Sequence, residues 1–161
     1  MKTIFRILER AGGYRPTLYL KIENPPFMAL VIEATPEPGP CGSPAISIAH
    51  YGEQNGDLMR DPEMCFELVK PPLCGLSLSS FYFRNDYLGV EQYSRYRDRE
   101  NYAFHPGLCQ QHEQFARQWD RNLRNQGFLE AFTAAGEQHL RAFFCRCATC
   151  NSGLRRTYCL S

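Results

Sequence analysis

Three cysteines crowd into the run Cys145-Arg-Cys147-Ala-Thr-Cys150, and a fourth, Cys159, follows the turn-like Asn151-Ser-Gly153. Thiolates are soft ligands that zinc gathers into a tetrahedron, and a Cys-x-x-Cys pair spans one edge of it around a tight turn. Thiols at this spacing do not share one face of a helix or strand, whereas a metal-held knuckle lets them converge. The expectation is a structural zinc on Cys145, Cys147, Cys150 and Cys159, stapling a segment with few apolar residues. The fourth ligand stays open between Cys159 and His139, Cys74, Cys109 or His112. An iron–sulfur cluster and a set of free thiols are the alternatives to zinc. Cys109 and His112 stand three apart, which permits joint ligation from one helix face; the plainer reading is a buried thiol beside a core histidine.

A second group of chemical residues lies in His50-Tyr-Gly-Glu53-Gln-Asn-Gly-Asp57-Leu-Met-Arg60-Asp61-Pro-Glu63. Carboxylates and a histidine around a turn suit a hard divalent cation or general acid–base work. The plainer reading is a polar hairpin in which Asp57 and Asp61 serve turn geometry and Arg60 pairs locally. A metal-dependent nuclease commonly needs an acidic residue and a lysine two apart on one strand face; Glu67 and Lys70 are three apart and fall on opposite faces. There is no Gly-x-Ser-x-Gly elbow, no cysteine with an adjacent histidine base and no phosphate-binding glycine loop. No catalytic residues are assigned. A third group interleaves Tyr82, Arg84, Tyr87, Tyr93, Arg95, Tyr96, Arg97, Arg99 and Tyr102. Tyrosine and arginine are enriched where proteins bind one another, and they also stack on bases. Asp86, Glu91, Asp98 and Glu100 dilute the positive charge, which favours a protein partner over nucleic acid; an ordinary solvated sheet is the plainer reading. Arg141, Arg146, Arg155 and Arg156 give the tail a basic character.

These groups need a scaffold, and the chain spells one out. Ile4, Phe5, Ile7, Leu8 and Ala11 recur at helical spacing before Gly12-Gly13. Thr17–Glu23 and Phe27–Glu33 read as strands around Asn24-Pro25-Pro26. After a Pro- and Gly-rich loop from Pro36 to Pro44, Ala45–Tyr51 and Glu63–Val69 form a hairpin over Asn55-Gly56. Two aromatic strands are expected near Ser80–Arg84 and Tyr87–Tyr96. Pro106-Gly107 opens a long helix whose stripe is Leu108, His112, Phe115, Ala116, Trp119 and Leu123, ending at Gly127. A shorter helix near Glu130–Phe144 leads into the tail. The expected fold is α+β: an antiparallel meandering sheet, an N-terminal helix, a long C-terminal helix packed on one face, and a Cys-rich zinc-binding tail. Residues 1–144 make the α+β domain, and residues 145–161 the tail packed on it.

Composition sets the outer bounds. The chain has 161 residues, 43% of them hydrophobic and 22% charged, enough for one ordinary core. A net charge of +1 lacks the excess of a dedicated DNA binder. No apolar run approaches the ~20 residues of a bilayer span, and no membrane partner is expected. Arg6, Glu9 and Arg10 interrupt what would be a secretory apolar region, so the expected location is the reducing cytoplasm, where clustered thiols bind metal.

Three stretches carry a resemblance: Ile48–Leu68, Arg84-Asn-Asp-Tyr-Leu-Gly89, and Phe115-Ala-Arg-Gln-Trp-Asp-Arg-Asn-Leu-Arg-Asn-Gln-Gly127. Together, over the span Ile7–Phe128, they resemble an uncharacterised family of small proteins of bacterial conjugative elements, plasmids and phages. The cysteine tail lies outside that pattern. In size and character the chain also looks like small, metal-containing anti-CRISPR proteins that inhibit the type II effector nuclease. This resemblance implies a non-enzymatic, zinc-binding mobile-element protein that binds a host protein, the type II CRISPR effector nuclease, and interferes with target DNA loading. The alternative is a DNA-binding or partition-associated maintenance protein of a plasmid or phage.

Overall fold

The structure, a computed structural model, describes residues 1–70, 76–98 and 101–133. Helix α1 (Lys2–Arg10) precedes strands β1 (Tyr19–Asn24), β2 (Phe27–Ala34), β3 (Ala45–Gln54), β4 (Asp57–Val69), β5 (Ser77–Asn85) and β6 (Val90–Tyr93). Strands β7 (Arg95–Asp98) and β8 (Asn101–Phe104) follow, then helix α2 (Pro106–Asn125). Residues 128–133 are again helical. β1 to β6 pair in chain order as a six-stranded antiparallel meander, and β7 and β8 form a separate two-stranded sheet. The fold is α+β.

Strand alternation sorts the sheet into two faces. On one, Ile22, Leu30, Ile32, Ile46, Ile48, Met64, Phe66 and Leu68 meet Ile4, Ile7 and Leu8 of α1, and Ala116, Trp119 and Leu123 of α2, in one core. The other face carries cross-strand rows, among them Tyr19–Glu33–Ser47–Cys65–Tyr82–Tyr93 and Lys21–Val31–Ala49–Glu63–Arg84–Glu91. The two helices are tied by a borrowed cap. Asp120 of α2 accepts the N–H groups of Lys2 and Thr3, both at 2.9 Å, satisfying donors that the first turn of α1 leaves open.

Several elements differ from the sequence expectation. The β3–β4 hairpin runs further, leaving only Asn55 and Gly56 in the turn with φ of 55° and 87°, the left-handed geometry a two-residue hairpin demands. The aromatic strand expected over Tyr87–Tyr96 breaks at Ser94. There the amide donates to the Phe81 carbonyl while the Ser94 carbonyl accepts the His105 N–H, so the chain leaves the main sheet and starts β7. β8 was not among the expected strands. On α2 the buried stripe is Cys109, His112, Ala116, Trp119 and Leu123, with Phe115 at its exposed rim. The residues beyond 133, and with them the remainder of the expected helix and the tail, lie outside the described residues. No helix among the described residues is long and apolar enough to cross a membrane.

A candidate partner-binding groove

Of the expected zinc ligands, Cys145, Cys147, Cys150 and Cys159 lie outside the described residues, as do the competitors His139 and Cys74. Cys109 and His112 are described, and both are buried between α2 and the β5–β6 end of the sheet. The Cys109 thiol donates to the Ser94 carbonyl at 3.4 Å. His112 Nε2 is 3.4 Å from Gln92 Oε1, while its Nδ1 is buried without a partner among the described residues. Burial, and then the nearby Arg95 charge, hold the His112 pKa below its usual 6.5. Among the described residues no group of three or more His, Cys, Asp or Glu is placed to hold a metal.

The His50–Glu63 group is divided between faces. His50 is on the helix side, packed against Trp119 and Phe128. Asp61 accepts the Asn85 side-chain amide at 2.7 Å. Glu63 is on the opposite side, accepting Ser47 Oγ at 2.6 Å and pairing with Arg60 at 2.7 Å. Glu53 and Asp57 sit exposed at the hairpin tip. Ordinary alternation causes the split, since Glu63 pairs with Ala49 and the neighbouring His50 points to the other face. The β-bulge beyond that pair, one extra residue on β4, changes the facing only of the β4 residues past Glu63, Asp61 among them. Glu67 is only 2% exposed, and its Oε1 accepts the N–H groups of Cys41 and Ser43, both at 2.9 Å. The carboxylate clamps the Pro-rich loop onto the sheet.

The tyrosine–arginine group sorts into structural and available members. Tyr82 is buried and donates its hydroxyl to Glu91 at 2.9 Å. Arg84 is bound to Asp86 at 2.6 Å. The backbone N–H of Arg60 and then the Arg84 side chain hold the Asp86 carboxyl below its ordinary range. Arg95 is pinned along the β5 edge by Ser79, by the Ser80 carbonyl at 3.1 Å and by Glu113 at 3.3 Å. These bonds fix its guanidinium in place. Arg99 lies outside the described residues. Tyr93, Arg95, Tyr96 and Arg97 line a groove of about 330 Å³ whose opposite wall is Glu37, Pro38, Gly39, Pro40 and Gly42. Tyr96 packs on His105, with ring centroids 5.6 Å apart. Arg97 is exposed and has no ion-pair partner among the described residues.

The proline wall was missed in the sequence because such a loop reads as a connector. The available signal was Glu67, a charge within an otherwise apolar strand end. Cys41 stands near the groove as an exposed thiol. Its pKa is raised, first by desolvation and then by Glu67, so it lacks the thiolate character of a nucleophile.

Residues 2–129 match the family described as a domain of unknown function (DUF6908). No curated protein and no solved structure matches the chain.

Proposed function

The chain belongs to the DUF6908 family, and we infer that it is a non-enzymatic protein that binds a protein partner through the groove between its Pro-rich loop and β7. The observation that carries this reading is the convergence of Tyr93, Tyr96 and Arg97 on the rigid wall of Pro38, Gly39 and Pro40. Tyrosine and arginine supply large, stiff contacts at low entropic cost. The wall is fixed in advance by Glu67, so less freedom is lost on binding. By resemblance the partner is the type II CRISPR effector nuclease of the host cytoplasm, whose loading of target DNA the bound chain would block. Added before target DNA, the chain is expected to suppress cleavage. The combined variant Tyr93→Ala, Tyr96→Ala and Arg97→Glu is expected to weaken co-elution with the effector by about tenfold or more with the melting temperature little changed. Arg95 is left intact because its loss would disturb Glu113 and β5.

A second reading, nucleic-acid binding by a plasmid or phage maintenance protein, draws on one observation. Tyr102 and Phe104 are exposed beside each other on β8, and Tyr102 faces Arg97 across the β7–β8 ladder, an arrangement suited to base stacking. Unchanged effector cleavage at saturating chain, with direct DNA binding of steep salt dependence, would favour that reading instead.

Our reading includes a structural zinc on Cys145, Cys147, Cys150 and Cys159. The burial of the competing Cys109 thiol and its bond to Ser94 support a ligand set drawn from the tail. Four thiolates leave no open position for water, so the ion would act as a staple rather than a Lewis acid. Protein purified without a metal-affinity tag is expected to carry one zinc per chain, and Cys147→Ser to lower the melting temperature. Zinc well below one equivalent, with freely titrating thiols, rejects the site.

A further inference from the structure

On the helix side of the sheet, away from the groove, a cavity of about 250 Å³ opens between α2 and the bulged end of β3 and β4. Phe27, Met28, Phe115, Trp119, His50 and Asp61 line it. The three rim side chains are well exposed, Phe27 at 41%, Met28 at 40% and Phe115 at 39%. Trp119 is buried behind them, 6.1 Å from the Phe115 ring and 5.6 Å from His50 between centroids.

Of the polar groups, His50 and Asp61 are acceptors, while Asn122 and Gln126 carry amides that can donate or accept. His50 Nδ1 lies 3.1 Å from the Ala29 carbonyl, which can only accept, so the ring proton sits on Nδ1 and Nε2 presents a lone pair. Burial lowers the pKa of this histidine, keeping the ring neutral at pH 7. Asp61 spends one oxygen on Asn85, and among the described residues its other oxygen has no hydrogen-bond partner. No lysine or arginine lines the cavity, so the Asp61 charge is not balanced within it.

We propose that this cavity is a binding site for a guanidinium group. A guanidinium is planar and cationic, stacks on aromatic rings and carries donors in a fork. Those properties answer the aromatic walls, the carboxylate and the imidazole lone pair together. An ammonium would satisfy the carboxylate without stacking, and a neutral amide would leave the charge unpaired. The volume falls below the ~300–1,000 Å³ of sites for drug-sized ligands and suits a side-chain-sized group.

Trp119 is the single tryptophan of the chain, so its fluorescence reports the cavity directly. The full chain would be titrated with agmatine, with butylamine, with the neutral butylurea, and with a capped Gly-Arg-Gly peptide. Agmatine is expected to give a saturable change, and butylamine to bind about tenfold more weakly. Butylurea should give none. Asp61→Asn is expected to weaken agmatine by about tenfold or more, and Phe115→Ala, at the exposed rim, severalfold with circular dichroism unchanged. Equal affinity for agmatine and peptide assigns the guanidinium itself as ligand, whereas a much tighter peptide assigns the cavity to an arginine of a partner. No saturable change with either guanidinium compound, binding of butylurea as tight as agmatine, or agmatine binding unaltered in both variants overturns the proposal.

Discussion

Glu67→Ala is expected to destabilise the chain by about 3 kcal/mol and to release the Pro-rich loop from the sheet. The side chain sits between Phe66 and Leu68 but points to the opposite face, where it is almost wholly buried. Its carboxylate is the acceptor for the Cys41 and Ser43 amides. Without it two donors beneath the loop have no acceptor, and the loop must either carry that penalty or lift into water. Glu67→Gln keeps the shape and one acceptor oxygen while losing the charge assistance, and should cost about 1–2 kcal/mol. The same contact predicts that Gly39→Ala destabilises. A Cβ there would lie 2.6 Å from Glu67 Cδ and Cγ and 2.8 Å from its Cβ, a clash with the base of the side chain as well as its tip. Because Glu67→Ala removes most of that obstacle, the two substitutions should combine to less than their sum. Denaturant unfolding of both single variants and the double would measure the coupling. A loss below about 1 kcal/mol for Glu67→Ala, or simple additivity, would contradict a clamping role for the carboxylate. The loop is one wall of the Tyr93–Tyr96–Arg97 groove, so partner binding should fall with Glu67→Ala even where the sheet remains folded.

That groove illustrates which parts of the molecule a sequence discloses. Asn55-Gly56 and the Pro106 helix start were legible because their chemistry acts within a few residues: a left-handed turn, and a proline with no N–H to place. The main strands were legible from alternation, which records the one face buried by the helices. Ser94 was not legible, since what breaks the strand there is a set of backbone bonds to Phe81 and His105 from other parts of the chain. Nor was the facing of Asp61 relative to Glu63, which depends on a single bulge residue. The roles of Arg95 and Arg97 differ although both read alike. Both line the groove, but Arg95 is held by Ser79, Ser80 and Glu113 while Arg97 has no ion-pair partner among the described residues, a distinction made by long-range packing. The cysteines expected to hold zinc, the strongest local signal, lie outside the described residues.

Phe128→Ala is expected to cost about 3–5 kcal/mol, the range for truncating a fully buried aromatic ring. Phe128 comes directly after the Gly127 turn and begins the helical residues 128–133, and its side chain is inaccessible to solvent. It packs on Phe27 at 6.4 Å and on His50 at 5.5 Å between centroids, so it holds the chain after α2 against the β2–β3 end of the core. The ring also acts through His50. The folded pKa of this histidine is lowered, chiefly by desolvation, against the retaining pull of the Ala29 and Met28 carbonyls and of Asp61. The unfolded chain therefore binds a proton that the folded chain refuses. Stability is fully present above the unfolded value near 6.5 and is lost as pH falls from there toward the folded pKa. Removing the Phe128 ring opens His50 to water and relieves that desolvation, raising its folded pKa toward the ordinary value. The variant should thus be less stable at pH 7 but lose less stability between pH 7 and 5 than the parent chain. His112, buried beside Phe83 with Gln92 and Arg95, adds an acid sensitivity of the same sign that Phe128→Ala leaves in place. Unfolding curves across this pH range, with the His50 ring followed by NMR, separate the two histidines. A Phe128→Ala chain whose pH slope matches the parent, with an unmoved His50 titration, would show that the ring does not set the environment of His50.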